Sequence, residues 1–156
     1  MRRGQAMIET VLAVMFITFI FLFVYKVERM LSARILLDHA AARSARAKSV
    51  GFNDFMCLKS ARVAMIPVAG RRLWPEEGGF AEASRVPIYL STENESLARG
   101  ILEYEWWNTT SVDVGSGGGL GSTVEARIRM ETDEFDMDGA AAVESHFPFY
   151  MYDQGN

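Results

Sequence analysis

The chain has very little cysteine, one residue in 156, at Cys57. A single thiol excludes an intramolecular disulfide and any cysteine-cluster metal site, and a free cysteine behaves mostly as a small buried hydrophobe. Histidine is nearly as scarce: His39 and His146 stand far apart, with no HExxH or comparable ligand spacing for zinc. The glycine-rich stretch GSGGGLG at residues 115–121 is not followed by the Lys-Ser/Thr of a phosphate-binding loop. It reads as a flexible connection between strands. No nucleophile-elbow pattern supports a serine hydrolase. The acidic run at residues 131–138 has five carboxylates in eight residues. It lacks the glycine and terminal glutamate of an EF-hand loop and reads as a solvated acidic loop, with bound calcium as the sharper alternative. From these absences we expect no catalytic site, no metal and no cofactor.

Basic charge is scarce in the rear half. Residues 1–72 carry a net +8 and residues 73–156 a net −12. A basic front and an acidic rear argue against nucleic-acid binding by the whole chain. The front could favour anionic headgroups as a screened surface effect.

What the sequence does have is a long apolar run. Residues 11–25 are fifteen consecutive uncharged residues, and the twenty-one residues of 5–25 carry Glu9 as their only charge. At about 1.5 Å of rise per residue, roughly twenty residues cross a hydrocarbon core of about 30 Å. A cleaved secretory signal would need a small-x-small site after the run. KVERMLSARILLDH follows instead, rich in charge and large side chains. Arg2 and Arg3 place the amino end in the cytoplasm by the positive-inside rule, with Lys26, Arg29 and Arg34 on the far side weighing against it.

Glu9 has two readings. It lies near the end of the span, where a carboxylate costs less than at the bilayer centre and the helix N-terminus favours negative charge. Alternatively, cleavage after Gly4 would make Gln5 a free, positively charged amino terminus and Glu9 the fifth residue of the mature chain. In a staggered bundle of parallel helices, one subunit's Glu9 would then meet a neighbour's amine.

Gly4-Gln5-Ala6-Met7-Ile8-Glu9, after a short basic leader and before a long apolar helix, resembles the processing site of type IV pilins and pseudopilins. RRGQAMIE, the apolar run and the continuation ARILLDHAAARSARA together are most similar to the TadE-like branch, the minor pseudopilins of tight-adherence (Flp, type IVc) pilus systems. The resemblance covers about the first 50 residues. It implies a prepilin peptidase cutting after Gly4, Glu9 supporting subunit docking, and partnership with other pilins or pseudopilins and the pilus assembly platform. It also implies a single-pass protein of the inner membrane with its carboxyl-terminal domain in the periplasm. One departure is that many TadE-like spans carry a proline soon after the glutamate. TVLAVMF stands there instead.

The expected architecture is α+β. It comprises a leader at 1–4, a transmembrane helix at 5–25, a periplasmic continuation of that helix at 26–50 and a head at 52–156 with further helices and a short antiparallel sheet. The continuation contains no glycine or proline, and Gly51 supplies its stop. Straight, residues 5–49 would span about 68 Å. Two rows follow helical spacing: Leu31, Ile35, Asp38 and Ala42, and Leu37, Ala41 and Ala45. The small residues Ala40, Ala41, Ser44 and Ala45 allow close helix packing, against a neighbouring subunit or the chain's own sheet; plain helix propensity accounts for them equally. A second helix starts at Asn53 or Asp54, carries an apolar stripe of Phe55, Leu58, Val63 and Ile66, and ends at Pro67.

After a turn-rich connector, residues 86–90 read as a short strand. Thr92 and Glu95 have capping-box spacing for a third helix over 93–107, with Leu97, Ile101 and Tyr104 facing inward. Strands at 109–114 and 122–131 pair, with Val124, Ala126, Ile128 and Met130 inward. A third strand runs through residues 141–147. The HFPFYMY stretch reads as core aromatics or as a partner-docking tail. An uncleaved single-pass protein whose outer domain scaffolds a secretion or envelope complex or binds a ligand is the second functional reading; an enzyme is the least supported.

Overall fold

The structure, a computed structural model, describes residues 2–75, 81–115, 122–133 and 136–145, and side chains within these from residue 7 onward, apart from those of residues 81 and 82. The chain divides into two compact units, Met1–Ala33 and Arg34–Asn156. The architecture is α+β: a long apolar amino-terminal helix, further helices and a small antiparallel sheet.

Helix α1, Arg2–Ser49, contributes to both units. Its termination follows from Gly51, whose φ of 96° only glycine adopts without strain. The Gly51 amide donates to Lys48 O at 2.9 Å and the Phe52 amide to Ala47 O at 3.1 Å, the paired bonds of a Schellman stop.

In the second unit, α2 (Asp54–Ala64) is capped by Asn53, whose side chain accepts from the Met56 amide at 2.8 Å. The expected stripe of Phe55, Leu58, Val63 and Ile66 is only half-buried; the buried positions are Cys57, Lys59, Ala61, Arg62 and Met65. Ser44 Oγ on α1 donates to Cys57 O on α2 at 3.2 Å and ties the two helices together. The Cys57 thiol is fully buried, and burial pushes its pKa up. Stability therefore falls as pH rises past the ordinary thiol range. A maleimide should label Cys57 in denaturant but not in the native protein; rapid native labelling would contradict this packing.

Residues 86–90 are not a strand. They belong to helix α3, Ala81–Ser91, which carries Pro87 inside it. Proline removes a helical hydrogen bond and lowers the intrinsic case for a helix. Contacts at its carboxyl end, two of them local and two from Lys59, support it. Ser91 Oγ and Thr92 Oγ1 donate to Ile88 O at 2.9 and 2.8 Å, and Lys59 Nζ donates to Leu90 O at 2.6 Å and also to Thr92 O. A cation on the terminal carbonyls also complements the helix dipole.

The expected third helix over 93–107 is a single short turn, α4 (Glu95–Arg99). Because the Thr92 hydroxyl donates backward into α3, Asn94 takes the cap instead and accepts from the Ser96 amide at 2.9 Å. Past Gly100 the chain turns extended. β2 (Glu103–Tyr104) pairs antiparallel with β1 (Arg72–Trp74), and a 3-10 turn, Glu105–Trp107, follows. Leu97 is exposed, whereas Leu102, Tyr104 and Trp107 are buried.

The main sheet runs β3-β4-β5, all antiparallel: β3 (Thr110–Val114), β4 (Thr123–Glu131) and β5 (Asp136–Glu144). On β4, Val124, Ala126, Ile128 and Met130 are buried while Glu125, Arg127, Arg129 and Glu131 face solvent. β5 begins five residues earlier than the expected 141 and enters the acidic run. Asp136 and Asp138 face solvent, alternating with buried Met137 and Gly139, so those carboxylates sit on a strand and not wholly in a loop. Gly139 stands opposite Ile128 in the register and meets the α1 backbone, where a Cβ would lie 2.5 Å from Leu37 C. Beside it the Ala140 amide donates to Asp38 Oδ1 at 3.2 Å.

Candidate functional site

Two regions carry residues singled out by sequence. The first is the apolar half of α1. Every residue over 7–32 is exposed, including Phe16, Phe19, Phe21 and Phe23 at 68–74%. A monomeric soluble protein rarely exposes a contiguous apolar surface of this extent. The helix is long and apolar enough to cross a membrane. Its backbone hydrogen bonds are satisfied within the segment, the condition that lipid imposes on a spanning element. Thr18 meets the same condition locally, its hydroxyl donating to Val14 O at 2.8 Å.

Glu9 lies exposed on this helix, and among the described residues it makes no ion pair. Gly4 and Gln5 lie within α1 as backbone, but their side-chain surroundings fall outside the described residues.

The second region is the small-residue row, in the other unit. Ala40, Ala41, Ser44 and Ala45 are each fully buried, as is Leu37. Ser44 bonds to α2, and Leu37 meets β5 at Gly139. The row is therefore covered by the chain's own head. Of the two rows along this stretch, the one through Leu37, Ala41 and Ala45 is buried, while Ile35 and Asp38 of the other are exposed. Arg43 and Arg46 face solvent.

Other candidate chemistry gains no support from the geometry. Among the described residues no group of three or more His, Cys, Asp and Glu side chains is placed to hold a metal ion. The Gly115 amide donates to Glu125 O at 2.8 Å, continuing the β3–β4 pairing up to the glycine-rich stretch; residues 116–121 themselves lie outside the described residues. Glu134, Phe135, His146 and the HFPFYMY stretch also lie outside them.

Sequence reasoning missed the buried cations of α2. Lys59 is fully buried with its ammonium on Leu90 O and Thr92 O and 4.6 Å from the Phe55 ring centroid. Burial lowers its pKa, with Glu93 opposing. Arg62, three residues on, lies over the Trp107 ring at 5.8 Å and donates to Trp107 O at 3.4 Å. The available signal was Arg62 itself, a charge inside the helical arc of Cys57, Ala61 and Met65.

No family model, no curated protein and no solved structure matches this chain.

Proposed function

We propose that the protein is a membrane-anchored minor pseudopilin, processed after Gly4 by a prepilin peptidase, that contributes to assembly of a tight-adherence-type pilus. It sits in the inner membrane as a single-pass protein with its amino end cytoplasmic and its head periplasmic, and it passes into an extracellular filament where it is incorporated. It is the substrate of another enzyme and has no catalytic residues of its own. The observation that carries this reading is the apolar helix, exposed at every residue over 7–32, together with the sequence GQAMIE that places Glu9 five residues after the glycine. A carboxylate and a new ammonium at membrane depth each need a partner. A neighbouring copy supplies both, which makes Glu9 the register device of the bundle.

The burial of Ala40, Ala41, Ser44 and Ala45 sharpens this mechanism. Contacts between subunits would fall on the apolar residues of 7–32 and not on the small-residue row, which the head already covers. The competing reading is an uncleaved single-pass protein that scaffolds an envelope complex. Mass spectrometry of the membrane-extracted protein separates the two: the pseudopilin begins at Gln5, the scaffold retains residues 1–4. Gly4→Phe should leave the leader attached. Glu9→Ala should be cleaved normally yet assemble poorly; undiminished pilus yield from that variant would remove the role given to the carboxylate.

A further inference from the structure

The unit Arg34–Asn156 carries two solvent-facing surfaces of opposite charge. The outer face of the β3-β4-β5 sheet holds six exposed carboxylates, those of Asp113, Glu125, Glu131, Asp136, Asp138 and Glu144, against two arginines, Arg127 and Arg129. Both arginines are taken by glutamates of their own strand, Arg127 by Glu125 and Arg129 by Glu131, each at 3.5 Å. Among the described residues Asp136 and Asp138 make no ion pair. Asp136 also stands directly opposite Glu131 in the register, a like-charge pair that opposes strand pairing. This end of the sheet is short of cations.

The exposed side of α1 has the opposite character. Ile35, His39, Arg43 and Arg46 face solvent there, while Leu37, Ala40, Ala41 and Ser44 are buried on the other side. Among the described residues neither arginine makes an ion pair, whereas Lys48 is held by Asp54 at 2.6 Å. The inner face of the sheet rests on α1 where Gly139 meets Leu37, so the two charged surfaces lie on different sides of this helix–sheet pair. Their spacings agree. Ile35 lies about 12–16 Å along the helix from Arg43 and Arg46, and the exposed Ala140 and Ala142 each lie about 13 Å along β5 from Asp136 and Asp138. We propose that the outer sheet face of one copy docks on the exposed side of α1 in a second copy, Arg43 and Arg46 meeting Asp136 and Asp138 while Ile35 lies over Ala140 and Ala142. Anionic headgroups would satisfy the arginines alone; a second copy satisfies both surfaces. Exposed ion pairs are individually weak, so the contact forms where a membrane holds copies at high local concentration. Because the two patches differ, the contact is heterologous and repeats from copy to copy. It adds to contacts along residues 7–32 and rests on the membrane span, not on cleavage after Gly4.

The test is disulfide trapping between full chains in phosphatidylcholine vesicles, which offer no anionic headgroup. Chains carrying Ile35→Cys are mixed with chains carrying Ala142→Cys and treated with a mild copper oxidant; Cys57 is buried and stays in place. A dimer is expected from the mixture above the level of either chain alone. Its yield should fall between about 0.01 M and about 1 M salt, as the Debye length shrinks from about 30 to about 3 Å. Arg43→Glu with Arg46→Glu in the first chain should lower the yield about tenfold, as the loss of two exposed pairs would. Asp136→Lys with Asp138→Lys in the second chain should then restore it. If that pair of lysines prevents folding, Asp136→Asn with Asp138→Asn replaces it and should lower the yield against the unaltered first chain. No excess dimer from the mixture overturns the proposal, as does a yield indifferent to these charge changes. Protection of Ile35→Cys from a water-soluble maleimide in phosphatidylglycerol vesicles alone would assign the arginines to headgroups and also overturn it. Neither the leader nor pilus yield enters the readout, so failure here leaves the pseudopilin reading standing.

Discussion

Gly139→Ala will destabilise the head by about 3 kcal/mol, the upper part of the usual range for forcing extra volume into a packed core. Two effects oppose each other here. Replacing glycine by alanine normally stabilises by about 0.4–1 kcal/mol, because the unfolded chain loses freedom. At Gly139 the added Cβ would lie 2.5 Å from Leu37 C and 2.8 Å from Asp38 N. Both are backbone atoms of α1, which cannot rotate away like the end of a side chain, so the clash wins. The same displacement would strain the Ala140 to Asp38 bond, worth about 1 kcal/mol. Against a total of about 5–15 kcal/mol for a domain, this is a large loss. Chemical denaturation of the variant measures it. Ala142→Ser, on the solvent face of the same strand, is the control and should change stability by less than about 0.5 kcal/mol. An unchanged midpoint for Gly139→Ala would mean that β5 does not rest on α1 at Leu37.

The second large effect lies in the apolar half of α1. Phe16→Arg combined with Phe19→Arg will release the protein from the membrane fraction. Each arginine near the middle of a span costs about 3 kcal/mol on insertion scales, and each lost phenylalanine removes a favourable contribution, so the pair shifts insertion by about 6–8 kcal/mol. Both positions are exposed now, at 68% and 71%, so no packing within the chain is lost. The effect therefore reports on the surroundings of the helix and not on its fold. Alkaline extraction of membranes measures it, with Ser32→Arg, exposed and beyond the apolar run, as the control expected to stay bound. Retention of the double variant in the alkaline-washed membrane pellet would show that something other than insertion holds the chain there.

Where local pattern and final environment coincide, the fold was legible. The helical continuation over 26–49, free of glycine and stopped by Gly51, is one such place, since glycine permits the φ of 96° that closes it. The β4 alternation is another: one face meets the core and the other meets water, so burial copies the period-two pattern. β5 was half hidden because DMDGAAAVE is built from residues of weak strand preference. Its place depends on pairing with β4 and on a glycine thin enough to meet α1. α3 was misread because Val86 and Pro87 look local and extended, whereas Lys59, some thirty residues earlier, secures its carboxyl end. The third helix was overextended because nothing nearby says that Glu103 and Tyr104 will pair with β1.

The expectation placed on Gly4, Gln5 and Glu9 rests on a linear pattern, and an apolar run long enough to cross a membrane is likewise defined by composition along the chain. The contacts of Arg62 and Tyr89 with the Trp107 ring are the opposite case, three elements with no spacing rule between them. The sequence alone determined that an apolar helix with one acid opens the chain, that the charge is divided between its halves, and that a helix-rich head with a two-faced sheet follows. Tertiary structure alone decided which face of α1 is covered, which cations of α2 are buried, and where β5 begins. Hydrophobic length and periodicity are properties of neighbours in sequence, whereas burial and close approach depend on what the rest of the chain brings alongside.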